Sequence, residues 1–206
     1  MSSTAARTRT RRALRRTAVG LVVVSAAISA SLVHLSASFA SPSSGTAHSD
    51  GHGARITEAD GVVPEDVTVF DDEYSAVAHL DADLLRALRA AATEAADDGI
   101  ELIVNSGWRS PEYQDQLLQE AVVQYGSAEE AARWVATAAT SAHVSGDAVD
   151  VGHSEAQEWL SEQGAGYGLC QVYRNEPWHY ELRPDAAEQG CPSPYADPTQ
   201  DPRMQQ

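Results

Sequence analysis

Lysine is absent from the 206-residue chain, and all 14 basic residues are arginine. That absence excludes Schiff-base chemistry and any Ser-x-x-Lys acylation site, since both need the lysine amine. Positive charge is scarce as well: 14 basic residues face 30 acidic ones, for a net charge of −16. A chain so charged lacks the basic footprint that phosphate backbones require, so a nucleic-acid partner is excluded. Cysteine is limited to Cys170 and Cys191. Nothing near either supplies a thiolate-stabilising setting, which argues against a catalytic cysteine. What is present, 43% apolar and 21% charged residues, is a globular composition rather than a disordered or collagenous one.

The charge is also unevenly placed. Arg7, Arg9, Arg11, Arg12, Arg15 and Arg16 precede the apolar run Ala18–Val33, and no acid occurs before Asp50. A basic start, an apolar stretch and the small-residue step Ser38-Phe39-Ala40 read as an export signal over residues 1–40. Left uncleaved, the same run is just long enough to act as a membrane anchor. Cleavage would leave eight basic residues against 30 acidic ones, a charge of −22. An exported chain with two cysteines is expected to pair them, so a Cys170–Cys191 disulfide should pin the C-terminal tail to the domain.

Residues 41–60, rich in Ser, Gly, His and Asp, read as a tether. Residues 186–206 carry Pro192, Pro194, Pro198 and Pro202 and read as an irregular tail. A single domain over 61–185 remains. Within it, Leu84, Leu85, Leu88 and Ala92 recur at helical spacing between an N-cap at Asp81 and a stop at Gly99. Ile100–Asn105 reads as a buried strand, and Ser110-Pro111 opens a second helix. Ser127 with Glu130 forms a capping box for a third helix running to about Ala139. Strands are expected at 148–151, 169–173 and 179–182, with a short helix at 154–162. Helices followed by a small antiparallel sheet make the fold class α+β.

Three stretches concentrate reactive side chains: Ser106–Ser110, Ser141–Asp150 and Glu176–His179. His143 and Asp150 are seven apart, so on one uninterrupted strand they would face opposite sides. Gly146 between them can take a positive φ and turn the chain so that both converge. With a distant His179 they would form a three-ligand N/O set that leaves one tetrahedral position open, as catalytic rather than structural zinc requires. Glu176 lies three residues before His179, with Pro177 biasing it toward an extended turn. A carboxylate beside such a site can take a proton from the attacking water. Arg109 supplies a fixed cation for the oxyanion that forms on a carbonyl under attack. These parts suit metal-assisted hydrolysis.

The pattern Ser-x-His-x-x-Gly-x-Ala-x-Asp (Ser141 to Asp150), followed by Glu-Pro-Trp-His-Tyr-Glu, resembles the zinc D-alanyl-D-alanine carboxypeptidases of the vancomycin-resistance type. The resemblance covers about residues 75–183. It implies that His143, Asp150 and His179 bind one Zn2+, that Glu176 is the general base, and that Arg109 stabilises the tetrahedral intermediate. It further implies that Gln114 and Ser141 contact substrate. In relatives a Pro-Gly pair often precedes the Ser-x-His, whereas Ala139-Thr140 stands there in this chain. Glu181, two residues past His179, is the rival to Glu176 for the base role and otherwise a partner orienting a histidine, and His153 reads as a surface or outer residue. Trp108 and Trp178 flank the reactive segments, either packing in the core or lining the substrate cleft.

The expectation is therefore an exported zinc peptidase, monomeric and extracytoplasmic, that removes the terminal D-alanine from peptidoglycan stem peptides. Membrane contact would come only through an N-terminal anchor. An endopeptidase or D,D-dipeptidase would share the chemistry and differ in the bond cut. An inactive wall-binding module is the alternative from another class.

Overall fold

A computed structural model of the chain describes residues 55–205. The leader expected over 1–40 and the tether as far as residue 54 lie outside the described residues. Over its last residues the expected tether is structured: Glu58–Asp60 form a 3-10 turn capped by Thr57 and Asp60, and the Asp60 carbonyl accepts the Ser110 N–H at 2.8 Å.

The helices are α1 (Ser75–Ala78), α2 (Ala82–Asp97), α3 (Pro111–Tyr125), α4 (Ala128–Ala131), α5 (Ala142–Ser145), α6 (Ser154–Gln163) and α7 (Ala186–Gln189). The strands are β1 (Val104–Ser106), β2 (Ala148–Val151), β3 (Leu169–Gln171) and β4 (His179–Leu182). They form one antiparallel sheet in the order β1-β2-β4-β3, the α+β arrangement expected. Among the described residues no helix is long and apolar enough to cross a membrane.

The helix starts follow from their caps. Asp81 accepts from the N–H groups of Asp83 and Leu84 at 2.9 and 3.0 Å, a cap contributing about 1 kcal/mol. Ser110 accepts from Tyr113 N–H at 3.1 Å, with Pro111 in the first turn of α3. Leu84 and Leu88 of α2 are fully buried against Val104, Val149, Val151 and Tyr180. Each leucine stabilises the fold by roughly 1.5–3 kcal/mol through the apolar surface it removes from water.

Side chains alternate across a strand, and this alternation positions the site. Val149, Val151 and Tyr180 point into the core under α2. Asp150, His179 and Glu181 must therefore point to the other face, where Asp150 stands directly opposite His179 and Ala148 opposite Glu181.

Three expectations change. The third helix ends at Ala131 rather than near Ala139, because tertiary partners take the backbone groups it would have used. Asn175 donates to the Arg133 carbonyl at 2.8 Å and Gln114 to the Ala136 carbonyl at 2.8 Å. The strand expected over 100–105 shortens to Val104–Ser106, since Ile103 bridges Thr68 instead. The tail after residue 185 is short helical turns packed on the domain rather than a loose end: Asp197 and Asp201 are buried, and Tyr195 bridges Tyr173. Cys170 and Cys191 are joined in a disulfide.

Candidate metal centre and cleft

Gly146 makes the site local. It closes α5 with φ 83° and sits so close to the preceding segment that a Cβ would lie 2.5 Å from the His79 carbonyl oxygen. The chain thus reverses within three residues, bringing His143 on α5 beside Asp150 on β2. Gly146→Ala should cost at least about 1–2 kcal/mol, the usual strain of an L-residue in the left-handed region, with the clash added. Thermal unfolding of the metal-free protein checks this, and an unchanged midpoint would show that the turn is not needed.

Three donor atoms meet there. His143 Nε2 lies 3.4 Å and His179 Nδ1 3.1 Å from Asp150 Oδ1, and the two ring nitrogens are 3.3 Å apart. A tetrahedral ion with arms of about 2.0–2.1 Å needs its ligand atoms roughly 3.3–3.4 Å apart, so the spacing fits zinc. The proton positions fit too. His143 Nδ1 faces the Gly107 carbonyl at 2.8 Å, and His179 Nε2 faces the Glu181 carboxylate at 3.4 Å. Both partners only accept, which leaves a lone pair on each nitrogen that points into the site. Two ring nitrogens and a carboxylate oxygen converging on one point form a donor set that can hold a cation.

The electrostatics agree. Burial would raise the Asp150 pKa, but His143, His179 and Arg109 outweigh it and hold the carboxyl well below the usual range. Burial, aided by Arg109, lowers the His143 pKa and favours its neutral form. Burial also opposes charge on His179, yet Asp150 and Glu181 raise its pKa to about 9. A metal must displace that proton, so affinity should weaken as the pH is lowered.

Glu176 ends the loop into β4. Its carbonyl accepts the His179 N–H at 3.1 Å, making the turn expected from Pro177, and its Oε2 stands 3.8 Å from His179 Nδ1. Oε1 is buried without a hydrogen-bond partner among the described residues. Burial raises the Glu176 pKa to about 7, more than nearby His179 and Arg109 can offset. A carboxyl poised there exchanges protons readily at neutral pH.

Arg109 is tied on three sides. It donates to Asp150 Oδ2 at 2.9 Å, to Ser106 Oγ at 2.8 Å and to Gln114 Oε1 at 3.1 Å. A guanidinium has five N–H groups, so two remain for a ligand. Gln114 is 1% exposed and is braced between Arg109 and the Ala136 carbonyl; it holds the arginine as well as lining the cleft. Ser141 is buried and lines the cleft.

These residues line a cleft of about 360 Å³ with Trp178, Tyr173, Pro198 and Met204. Trp108 is the exception. It packs edge-on against His79, ring centroids 4.5 Å apart, and is not among the residues lining this cleft. Its backbone N–H is fixed by the Ala76 carbonyl, which turns the ring toward α1. His153 caps α6 with φ 61° and is exposed, away from the donor set. His48 and His52 lie outside the described residues.

Tyr173, Pro198 and Met204 line the cleft without having been legible as site residues in the sequence. The signal in the tail was Asp-Pro at 197–198 and 201–202, a helix-start pair. Asp197 does cap the turn Pro198–Gln200 that forms one cleft wall.

Residues 77–185, just over half the chain, match the family model VanY, D-alanyl-D-alanine carboxypeptidase. The chain is 37% identical over 108 residues to a D-alanyl-D-alanine carboxypeptidase of Enterococcus faecalis, an alignment covering 40% of each chain. The match thus spans well under half of that relative's length. A solved structure of VanYB in complex with D-alanine-D-alanine aligns with TM-score 0.50 and 28% identity, covering 54% of this chain and 78% of that one. The LdcB LD-carboxypeptidase aligns with TM-score 0.50 and 22% identity over 62% of this chain and 71% of that one, a likeness of fold.

Proposed function

The chain belongs to the VanY family of D-alanyl-D-alanine carboxypeptidases, and on that premise we propose that it is an exported zinc peptidase. Its substrate would be a peptidoglycan stem peptide ending in D-Ala-D-Ala, from which it removes the last residue. One observation carries the reading: His143, Asp150 and His179 converge at tetrahedral spacing beside the buried carboxyl of Glu176, whose Oε1 has no hydrogen-bond partner among the described residues. The relative seen with D-alanine-D-alanine supports the choice of bond.

Zinc held by these three side chains would supply Lewis acidity to the attacking water and the scissile carbonyl. Glu176 takes the proton of that water and returns it to the leaving amine, the exchange its near-neutral pKa suits. Arg109, fixed by Ser106, Gln114 and Asp150, turns its two unspent N–H groups to the oxyanion. Ser141 and Trp178 contact the peptide. Gln114 does so while keeping Arg109 in place.

An extracytoplasmic location is supported by the disulfide, which persists where conditions are oxidising, and by a wall substrate. We take the working unit to be a monomer, with membrane contact only through its N-terminal segment.

A synthetic pentapeptide ending in D-Ala-D-Ala, incubated with the enzyme and analysed by mass, should lose one alanine. A zinc chelator should stop the reaction, and added zinc restore it. Release of the dipeptide, or a cut between L-Ala and D-Glu, would reassign the bond. Wall binding without cleavage of any stem peptide would show an inactive module.

A further inference from the structure

Glu181 sits one side-chain step behind His179 on β4 and is 1% exposed. Its Oε1 faces His179 Nε2 at 3.4 Å. Ala148, small, stands opposite on β2. Two arginines reach the carboxylate. Arg183, just past the end of β4, meets Oε2 at 2.9 Å. Arg203, twenty-two residues away in the tail, forks across both oxygens: Nη1 donates to Oε2 at 2.7 Å and Nη2 to Oε1 at 3.1 Å.

The fork is itself fixed. Arg203 Nε donates to the carboxylate of Asp201 at 2.9 Å, and Asp201 is completely buried. Tyr173 donates its hydroxyl to Asp201 at 3.0 Å, and the Tyr173 ring lies 5.1 Å from the His179 ring. The tail therefore reaches one imidazole by two routes, a carboxylate behind the ring and an aromatic face beside it. The disulfide to β3 and the Tyr173–Tyr195 bridge fasten the segment that carries both.

We propose that Arg203 is a positioning residue of the metal centre. By holding Glu181 bidentately it fixes which carboxylate oxygen faces His179, and so aims Nδ1 at the site. The C-terminal segment is then part of the frame of the metal site, although it lies outside the stretch that matches the family. The inference rests on the metal-centre reading above.

A purely structural salt bridge would fasten the tail without touching the imidazole, and the two roles separate in a double-mutant cycle read as zinc affinity. The full chain, stripped of metal and titrated with zinc against a chromogenic chelator, is compared as wild type, Arg203→Gln, Glu181→Gln and the double variant. Arg203→Gln should weaken zinc binding by roughly 10–100-fold, the usual cost of losing an outer partner of a ligating histidine. In the Glu181→Gln background the same change should shift affinity less than about threefold, because its route is already cut. Should Arg203→Gln prove too unstable to titrate, Arg203→Lys keeps the charge and gives up the fork. It should bind zinc at least about tenfold more weakly, again on the scale of losing an outer partner.

Wild-type zinc affinity in Arg203→Gln or Arg203→Lys would overturn the proposal. So would an equal loss in both backgrounds, which would place Arg203 outside the Glu181 route. Failure of the wild-type protein itself to bind zinc would instead overturn the metal-centre reading, and this inference with it.

Discussion

Glu176→Gln is expected to leave zinc bound and to lower turnover by about 10²–10⁴-fold, the range that general acid–base catalysis supplies. Glutamine matches the shape of the side chain and fills the same buried space, but it cannot accept a proton. Among the described residues the donor atoms that gather within 4.8 Å of one another belong to His143, Asp150 and His179 and not to Glu176, so zinc content should not change. Turnover near the wild-type value would remove Glu176 from the mechanism.

The same substitution makes a stability prediction with a definite sign. Burial raises the Glu176 pKa to about 7 in the folded protein against an ordinary 4.5. The folded state then holds a proton that the unfolded state has lost, and stability falls as pH rises between those values. Metal-free Glu176→Gln should match the pH dependence of wild type below about pH 4.5 and become the more stable of the two above about pH 7. The gain should be of order 3 kcal/mol, at about 1.4 kcal/mol per unit of pKa. Parallel unfolding curves across that range would contradict the assignment.

Asp150→Asn should have a larger effect. Asp150 is both the anionic donor and the partner of Arg109, to which Oδ2 is bound at 2.9 Å. Neutralising it removes a ligand, so zinc affinity should fall well beyond the roughly 10–100-fold that loss of an outer partner costs. Hydrolysis should drop to background at ordinary zinc concentrations. The guanidinium loses its countercharge where both side chains are nearly buried, and leaving one charge of a buried pair unmatched costs about 3–5 kcal/mol. A metal-free Asp150→Asn protein should therefore also melt earlier. Retained zinc affinity would show that the carboxylate is not a ligand.

The features visible in the sequence were those set by local chemistry. Asp81, Ser110 with Pro111, and Gly99 announced the ends of α2 and α3 because caps act over three or four residues. Gly146 announced the turn between His143 and Asp150 because few other residues take a positive φ there. The strand period placed Asp150 and His179 on one face once the sheet formed. The convergence of His143, Asp150 and His179 needed the ten-residue pattern and the Glu-Pro-Trp-His segment taken together.

What stayed hidden depended on contacts distant in sequence. Nothing near Ala132 signals that Asn175 and Gln114 will take the carbonyls of Arg133 and Ala136 and end α4 early. The tail, proline-rich and sparsely apolar, gave no hint that Arg203 would reach Glu181 or that Pro198 and Met204 would line the cleft. Loop aromatics carry no periodicity, so the packing of Trp108 against His79 was not legible in the sequence.

The most direct test is where zinc binds. X-ray diffraction from crystals grown with zinc, recorded at the zinc absorption edge, should place one ion per chain within about 2.0–2.2 Å of His143 Nε2, His179 Nδ1 and an oxygen of Asp150. An ion held elsewhere, or those three atoms lying more than about 2.5 Å from any shared ion, would contradict the account.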